Sequence, residues 1–231
     1  MSSLRAAGVV PPKYAPWLTL LRDDPAHIRD HPAPSYWALA PYHIGQFTDT
    51  CCSLATAVML VNAARGSAHL KSGDKLVTQP DLLAVVGDPD WIFGCTDPQG
   101  HGASLREMAP LMERAYALSG VAGARVEMVQ TTDPAAAAAD FRAALAAIER
   151  SPLTQLALNF DAAPVYGIAD YGHFSPAAAY DAGRDRLLVL DVDRGWYEPY
   201  WVPVDVMLNA MATLSRKDTT PRGYLRVTLD R

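Results

Sequence analysis

The chain has 231 residues, 50% hydrophobic and 19% charged, enough apolar content to bury a core and without the polar bias of disorder. Its net charge of −5 argues against a nucleic-acid groove or an anionic membrane surface as the main partner. No apolar stretch reaches the roughly 18–20 residues of a membrane span, and the first residues lack a charged-then-apolar signal pattern, so a cytoplasmic protein is expected.

Residues 1–40 are rich in Pro, Trp and Tyr and read as an arm packed onto the body, with a short helix around 18–22 and with His27 and His31 exposed to solvent. Next comes PYHIGQFTDTCCSLATAVMLVNAARG, where TDT (48–50) offers N-cap candidates and 52–64 form an almost wholly apolar, hence buried, helix closed by Gly66. Three cysteines, two of them adjacent at 51 and 52, cannot build a disulfide framework, so one is expected to be a working thiol. Cys52 falls in the first helical turn, where free N–H groups and the helix dipole favour a thiolate. Cys51, about 100° round the helix, reads as core. Gln46, in the preceding loop, is a candidate donor to an oxyanion.

Residues 67–101 are polar and turn-rich around the apolar 82–86, which predicts a surface excursion. Cys95, Asp97 and His101 suggest a metal corner, but no second Cys/His pair of zinc spacing exists, so neither metal nor other cofactor is expected. Residues 104–120 form an amphipathic helix with Ser104 as N-cap and Glu107 completing a capping box. A short strand at 124–129 precedes an alanine-rich helix over 133–151, then a buried strand at 153–160 and a loop to 172. Two apolar runs follow, joined by the turn formers of 181–185, and a hairpin is the simplest geometry. It sets His173 at the start of one strand and Asp191 at the end of the other, side by side across the ladder. A helix at 202–215 and a closing strand at 223–229 complete an α+β chain, read as one domain over 1–231 with a helical first half packed on an antiparallel sheet.

A histidine beside a carboxylate has one ring nitrogen's proton fixed and the other nitrogen free to serve a nucleophile. The order Cys, His, acid, on a helix followed by a sheet, is the papain-type arrangement. Gln46 with Cys52-Ser-Leu-Ala-Thr, then Gly172-His173-Phe174-Ser175-Pro176, Leu190-Asp191-Val192-Asp193-Arg194 and Tyr200-Trp201-Val202-Pro203, resemble phytochelatin synthases in sequence and order. The likeness continues through Asp140-Phe141-Arg142 to Arg222-Gly223-Tyr224.

That resemblance implies a papain-like fold and cleavage of the Cys–Gly bond of glutathione through a γ-glutamylcysteinyl thioester. By position it makes Cys52 the nucleophile, His173 the base, Asp191 its orienting carboxylate and Gln46 the oxyanion donor. Arg194 looks like a carboxylate-binding arginine, with Tyr197 beside it. The chain departs from relatives at Ser53, Gly195, Trp196 and Glu198, and its loop 161–171 carries Asp161 and Asp170 and no basic residue. An acidic loop there would repel a second carboxylate, so glutathione is expected to be a poor donor. The alternative is an amide-forming acyltransferase of specialised metabolism that takes its acyl group from an acyl carrier protein and passes it to an amine. A homodimer is compatible with either reading.

Overall fold

The computed structural model describes residues 12–68, 70–167 and 171–230. Strand β1 (Thr19–Leu20) leads to helices α1 (Ala26–Asp30) and α2 (Pro34–Leu39), then to the long α3 (Cys52–Ser67), α4 (Gln79–Val86), α5 (Pro89–Thr96) and α6 (Leu105–Leu118). The second half runs β2 (Arg125–Gln130), α7 (Pro134–Ile148), β3 (Thr154–Asp161), α8 (Ala162–Tyr166), β4 (Gly172–Asp181), β5 (Arg186–Val189), β6 (Tyr200–Pro203), α9 (Val204–Met211) and β7 (Gly223–Thr228). The strands form one seven-stranded antiparallel sheet in the order β1-β6-β5-β4-β3-β7-β2. The expected α+β architecture is thus present, with β3, β4 and β5 as consecutive antiparallel neighbours.

Both faces of this sheet are covered. Ala157, Phe174, Leu188 and Leu225 point into a core shared with α3, α4, α5 and α6, while Leu156, Leu158, Val189 and Tyr224 point into a second core with α7 and α9. A strand covered on both sides reads as an unbroken apolar run rather than an alternation, which is why 153–160 and 187–190 show no clear period. The buried helix α3 is apolar all round for the same reason: residues from Cys52 to Ala64 are all buried.

Several local expectations give way to tertiary context. Residues 18–22 contain no helix; Thr19 and Leu20 pair with Trp201 and Tyr200, adding an edge strand to the sheet. His27 is not exposed, for its side chain packs edge-on to Trp201 at 5.5 Å and lies 3.4 Å from the Glu149 carboxylate, whereas His31, stacked on it at 4.6 Å, is exposed as expected. The surface excursion is instead helical. Thr78 caps α4 by accepting from Asp81 N, and Asp88 caps α5 by accepting from Trp91 N, each with proline in the first turn. What read as turn chemistry is helix-start chemistry, and Leu82, Val86, Trp91 and Cys95 beneath it are core.

Helix α3 does not close at Gly66 but runs through it to Ser67, and its glycine serves a close approach, since a Cβ there would land on the Tyr42 hydroxyl. None of the residues 48–50 supplies its N-cap; Cys51 holds that position without a side-chain cap bond. Ser104 and Glu107, by contrast, do form the reciprocal capping box of α6. The 161–172 segment includes the short helix α8, which matters below because it carries Tyr166.

Candidate active site

Helix α3 delivers Cys52 as its first residue, where the opening backbone N–H groups have no intrahelical partner. Cys51 and Cys95 are fully buried, whereas Cys52 keeps 9% of its surface and lines a cleft of ≈ 470 Å³. The Cys51 sulfur accepts from Thr48 N at 3.1 Å and faces Gln79 Oε1 at 3.5 Å, and burial pushes its thiol up. Burial, aided by the neighbouring Cys51 and Cys52, pushes Cys95 up to about 12. Thiols that hold their protons this firmly are poor nucleophiles.

The β4–β5 hairpin supplies the other two groups. Its pairing runs from Asp181–Arg186 back to Ala177–Val189 and continues through the Leu190 N to Pro176 O bond at 3.2 Å. Asp191 therefore emerges beside Ser175 and diagonal to His173, on the same face. His173 Nε2 lies 2.9 Å from Asp191 Oδ1 and 3.1 Å from Ser175 Oγ, which itself accepts from Val192 N at 3.2 Å. The other ring nitrogen is left for the Cys52 side chain, which acts on the ring electrostatically. Burial opposes a charge on this imidazole, yet the Asp191 carboxylate and the Cys52 contact outweigh it and raise His173 to about 10.

Asp191 is itself completely buried and fully satisfied. Oδ1 accepts from His173 and from Asp193 N at 2.8 Å; Oδ2 accepts from the hydroxyls of Tyr166 and, at 3.1 Å, Tyr200. Burial alone would raise its pKa, but these donors and the His173 charge hold it below the usual carboxylate value. From behind, His43 Nε2 donates to the Asp191 backbone carbonyl at 2.8 Å. Cys52, His173 and Asp191 are thus brought together in an unbroken chain of contacts.

The other anticipated residues lie nearby with different surroundings. Gln46 is anchored by its N–H to Val192 O at 2.7 Å, and its side-chain oxygen is buried with no partner among the described residues. Arg194 packs its aliphatic stem over Gly45 and donates to Tyr197 O at 3.3 Å, and Tyr197 is buried face to face with Tyr166 at 3.9 Å. None of the three lines the cleft beside Cys52. His101 does border it, but Cys95 is buried in the core, and no group of three metal-binding side chains exists among the described residues.

The cleft is lined by Arg216, Lys217, Arg222 and one carboxylate, Asp49, among the described residues, and Lys217 is paired with Glu107 at 2.9 Å. Arg222 is buried, donates from Nη1 to Thr213 Oγ1 at 3.1 Å and to Leu214 O, and faces Asp161 at 3.9 Å. Asp161 is in turn committed as N-cap of α8, accepting from Ala163 N at 2.9 Å. It is not the free acidic wall that the sequence suggested; Asp170 lies outside the described residues. On β3 Asn159 donates to His173 O at 3.2 Å, while its Oδ1, on a cleft-lining residue, is buried and has no partner among the described residues.

A family model described as Phytochelatin synthase matches residues 26–224, which takes in every element from α1 to the start of β7. The chain belongs to the phytochelatin synthase family. It is 26% identical over 190 residues to glutathione gamma-glutamylcysteinyltransferase 3 of Lotus japonicus, covering 82% of this chain and 36% of that protein. The corresponding enzyme 1 of Triticum aestivum is 34% identical over 110 residues, 48% of this chain and 21% of the relative. Enzyme 2 of Arabidopsis thaliana is 41% identical over 56 residues, 24% and 12% respectively. The chain therefore spans about a third or less of the length of the relatives it matches.

Against this phytochelatin synthase background, sequence reasoning missed how much surrounds Asp191. Tyr200 was legible in principle, because β6 pairs Tyr200 with Val189, two residues before Asp191. Tyr166, His43 and Asn159 carry no local signal, for each reaches the site from a segment that gives no hint of its neighbour.

Proposed function

We propose that the protein is a cysteine-dependent acyltransferase or amidase acting on glutathione or a closely related γ-glutamyl thiol peptide through a thioester on Cys52. The Cys52 sulfur attacks the carbonyl of the Cys–Gly bond, and the imidazolium of His173 protonates the departing glycine amine. The Gln46 amide and the first N–H groups of α3 would donate to the developing oxyanion. Water or a second amine then resolves the thioester, with His173 as base. Asp191, itself buried with His173, keeps the imidazolium charge balanced.

The observation that carries this reading is the cation-rich cleft beside the Cys52–His173 pair, above all Arg222 with the unpaired Asn159 oxygen close to the same wall. A γ-glutamyl head presents an α-carboxylate and an α-ammonium, which an arginine fork and an amide oxygen complement. The names of the relatives point to the same donor. With Asp161 already committed to α8 and Arg222, one of the two carboxylates that favoured a cationic amine in that loop is accounted for.

The test is steady-state kinetics on glutathione and on an analogue lacking the γ-glutamyl α-carboxylate. Loss of one charge-assisted clamp should lower kcat/KM on the order of a hundredfold, and Arg222→Met should abolish the preference. Equal turnover of both compounds by the wild type would rule out a γ-glutamyl donor held in this way.

A further inference from the structure

We infer that Tyr166 and Tyr200 are positioning residues, a pair of phenols from two separate elements that hold Asp191 in register with His173. The inference rests on the reading of Cys52, His173 and Asp191 as a catalytic triad, and goes beyond it by assigning two side chains outside the triad.

Both hydroxyls meet at one atom, Asp191 Oδ2, and lie 3.2 Å from each other. Both rings are buried, Tyr166 from α8 and Tyr200 from β6. Tyr166 is locked by stacking on Tyr197 with planes 7° apart, and its ring stands edge-on to Phe160. A carboxylate on a strand end has a free χ2 rotation, broad for any sp³–sp² torsion. Donors fixed at Oδ2 remove that freedom and leave Oδ1 at His173 Nε2. They also draw negative charge toward Oδ2, which lowers the proton affinity of Oδ1 and keeps the shared proton on the imidazole. Burial and the Asp191 charge hold both phenols well above their ordinary pKa, so they remain donors.

A clamp that only supported the fold would leave the His173–Asp191 hydrogen bond unchanged once the variant had folded. Tyr166→Phe and Tyr200→Phe each remove one oxygen and keep the ring, and the pair can be combined. Tyr180→Phe, which loses a hydroxyl bonded to Asp185 on the remote hairpin turn, serves as control. Two readouts are needed: the downfield proton resonance of the His173 ring N–H, assigned by its loss in His173→Ala, and the rate of Cys52 alkylation by iodoacetamide, located by peptide mass. Neither depends on the identity of the acyl donor.

With one donor gone, Asp191 becomes a stronger acceptor and its proton affinity approaches that of the imidazole, so the resonance should move downfield in each single variant and further in the double. Alkylation should slow by roughly tenfold per hydroxyl, and Tyr180→Phe should alter neither. Unchanged resonance and rate in a folded double variant, or in both folded single variants should the double fail to fold, would overturn the clamp. If His173→Ala itself leaves alkylation unchanged, the triad reading fails and the clamp with it. A clamp that behaves as described in a protein inert toward glutathione would overturn only the donor.

Discussion

Replacing Cys52 with alanine is expected to lower turnover by a factor on the order of 10⁴ or more, while Cys51→Ala retains most of it. The two thiols are neighbours in sequence and opposites in environment. Cys52 opens α3, touches His173 and borders the cleft; Cys51 is enclosed by Thr48 and Gln79, its proton held more firmly by burial. Loss of the Cys51 sulfur costs packing and three weak contacts, which should appear as a lower melting temperature rather than a lower kcat. Rates measured on both purified variants, with circular dichroism to confirm folding, separate these effects. Comparable losses of kcat in both would mean that the thiols act as a unit or that the nucleophile is Cys51.

Asp191→Asn is expected to slow acylation by about 10⁴-fold, the cost of the same change in a serine triad. Asparagine has the same shape, and the Tyr166 and Tyr200 hydroxyls can turn to accept from its amide, so the fold should survive. The charge does not. His173 is completely buried and holds its proton up to about 10 only because Asp191 outweighs the burial penalty. Without the carboxylate that penalty acts unopposed, the imidazole titrates at lower pH, and at neutral pH it is no longer charged when the leaving amine needs a proton. Single-turnover acylation should show the loss, together with an alkaline limb displaced to lower pH. Near-normal rates in the folded variant would reduce Asp191 to a strand-end acid.

That Cys52, His173 and Asp191 come together was readable because it rests on local sequence. An apolar helix with a cysteine at its head, and two apolar runs joined by a turn, define α3 and the β4–β5 hairpin without reference to anything distant. The capping box at Ser104 and Glu107 was legible on the same terms. What failed was either tertiary or ambiguous in its chemistry. Thr19 and Leu20 become a strand only because Trp201 and Tyr200 offer them an edge. Thr78-Gln79-Pro80 and Asp88-Pro89 suit a turn and a helix start equally well, and the buried Leu82 and Trp91 decide between them. Asp161 looked like a free charge in a loop, yet it caps a helix and faces an arginine sixty-one positions away in the sequence. The basic wall of the cleft was out of reach because Arg216, Lys217 and Arg222 come from the far end of the chain.

The most direct test is whether Cys52 becomes acylated. The measurement is the intact mass of the protein after brief exposure to glutathione and acid quench, followed by peptide mapping. The expected result is one added γ-glutamylcysteinyl group, located on Cys52, absent in Cys52→Ala and accumulating more slowly in Asp191→Asn. An adduct on Cys51 or Cys95, or glutathione cleavage that persists undiminished in Cys52→Ala, would contradict it.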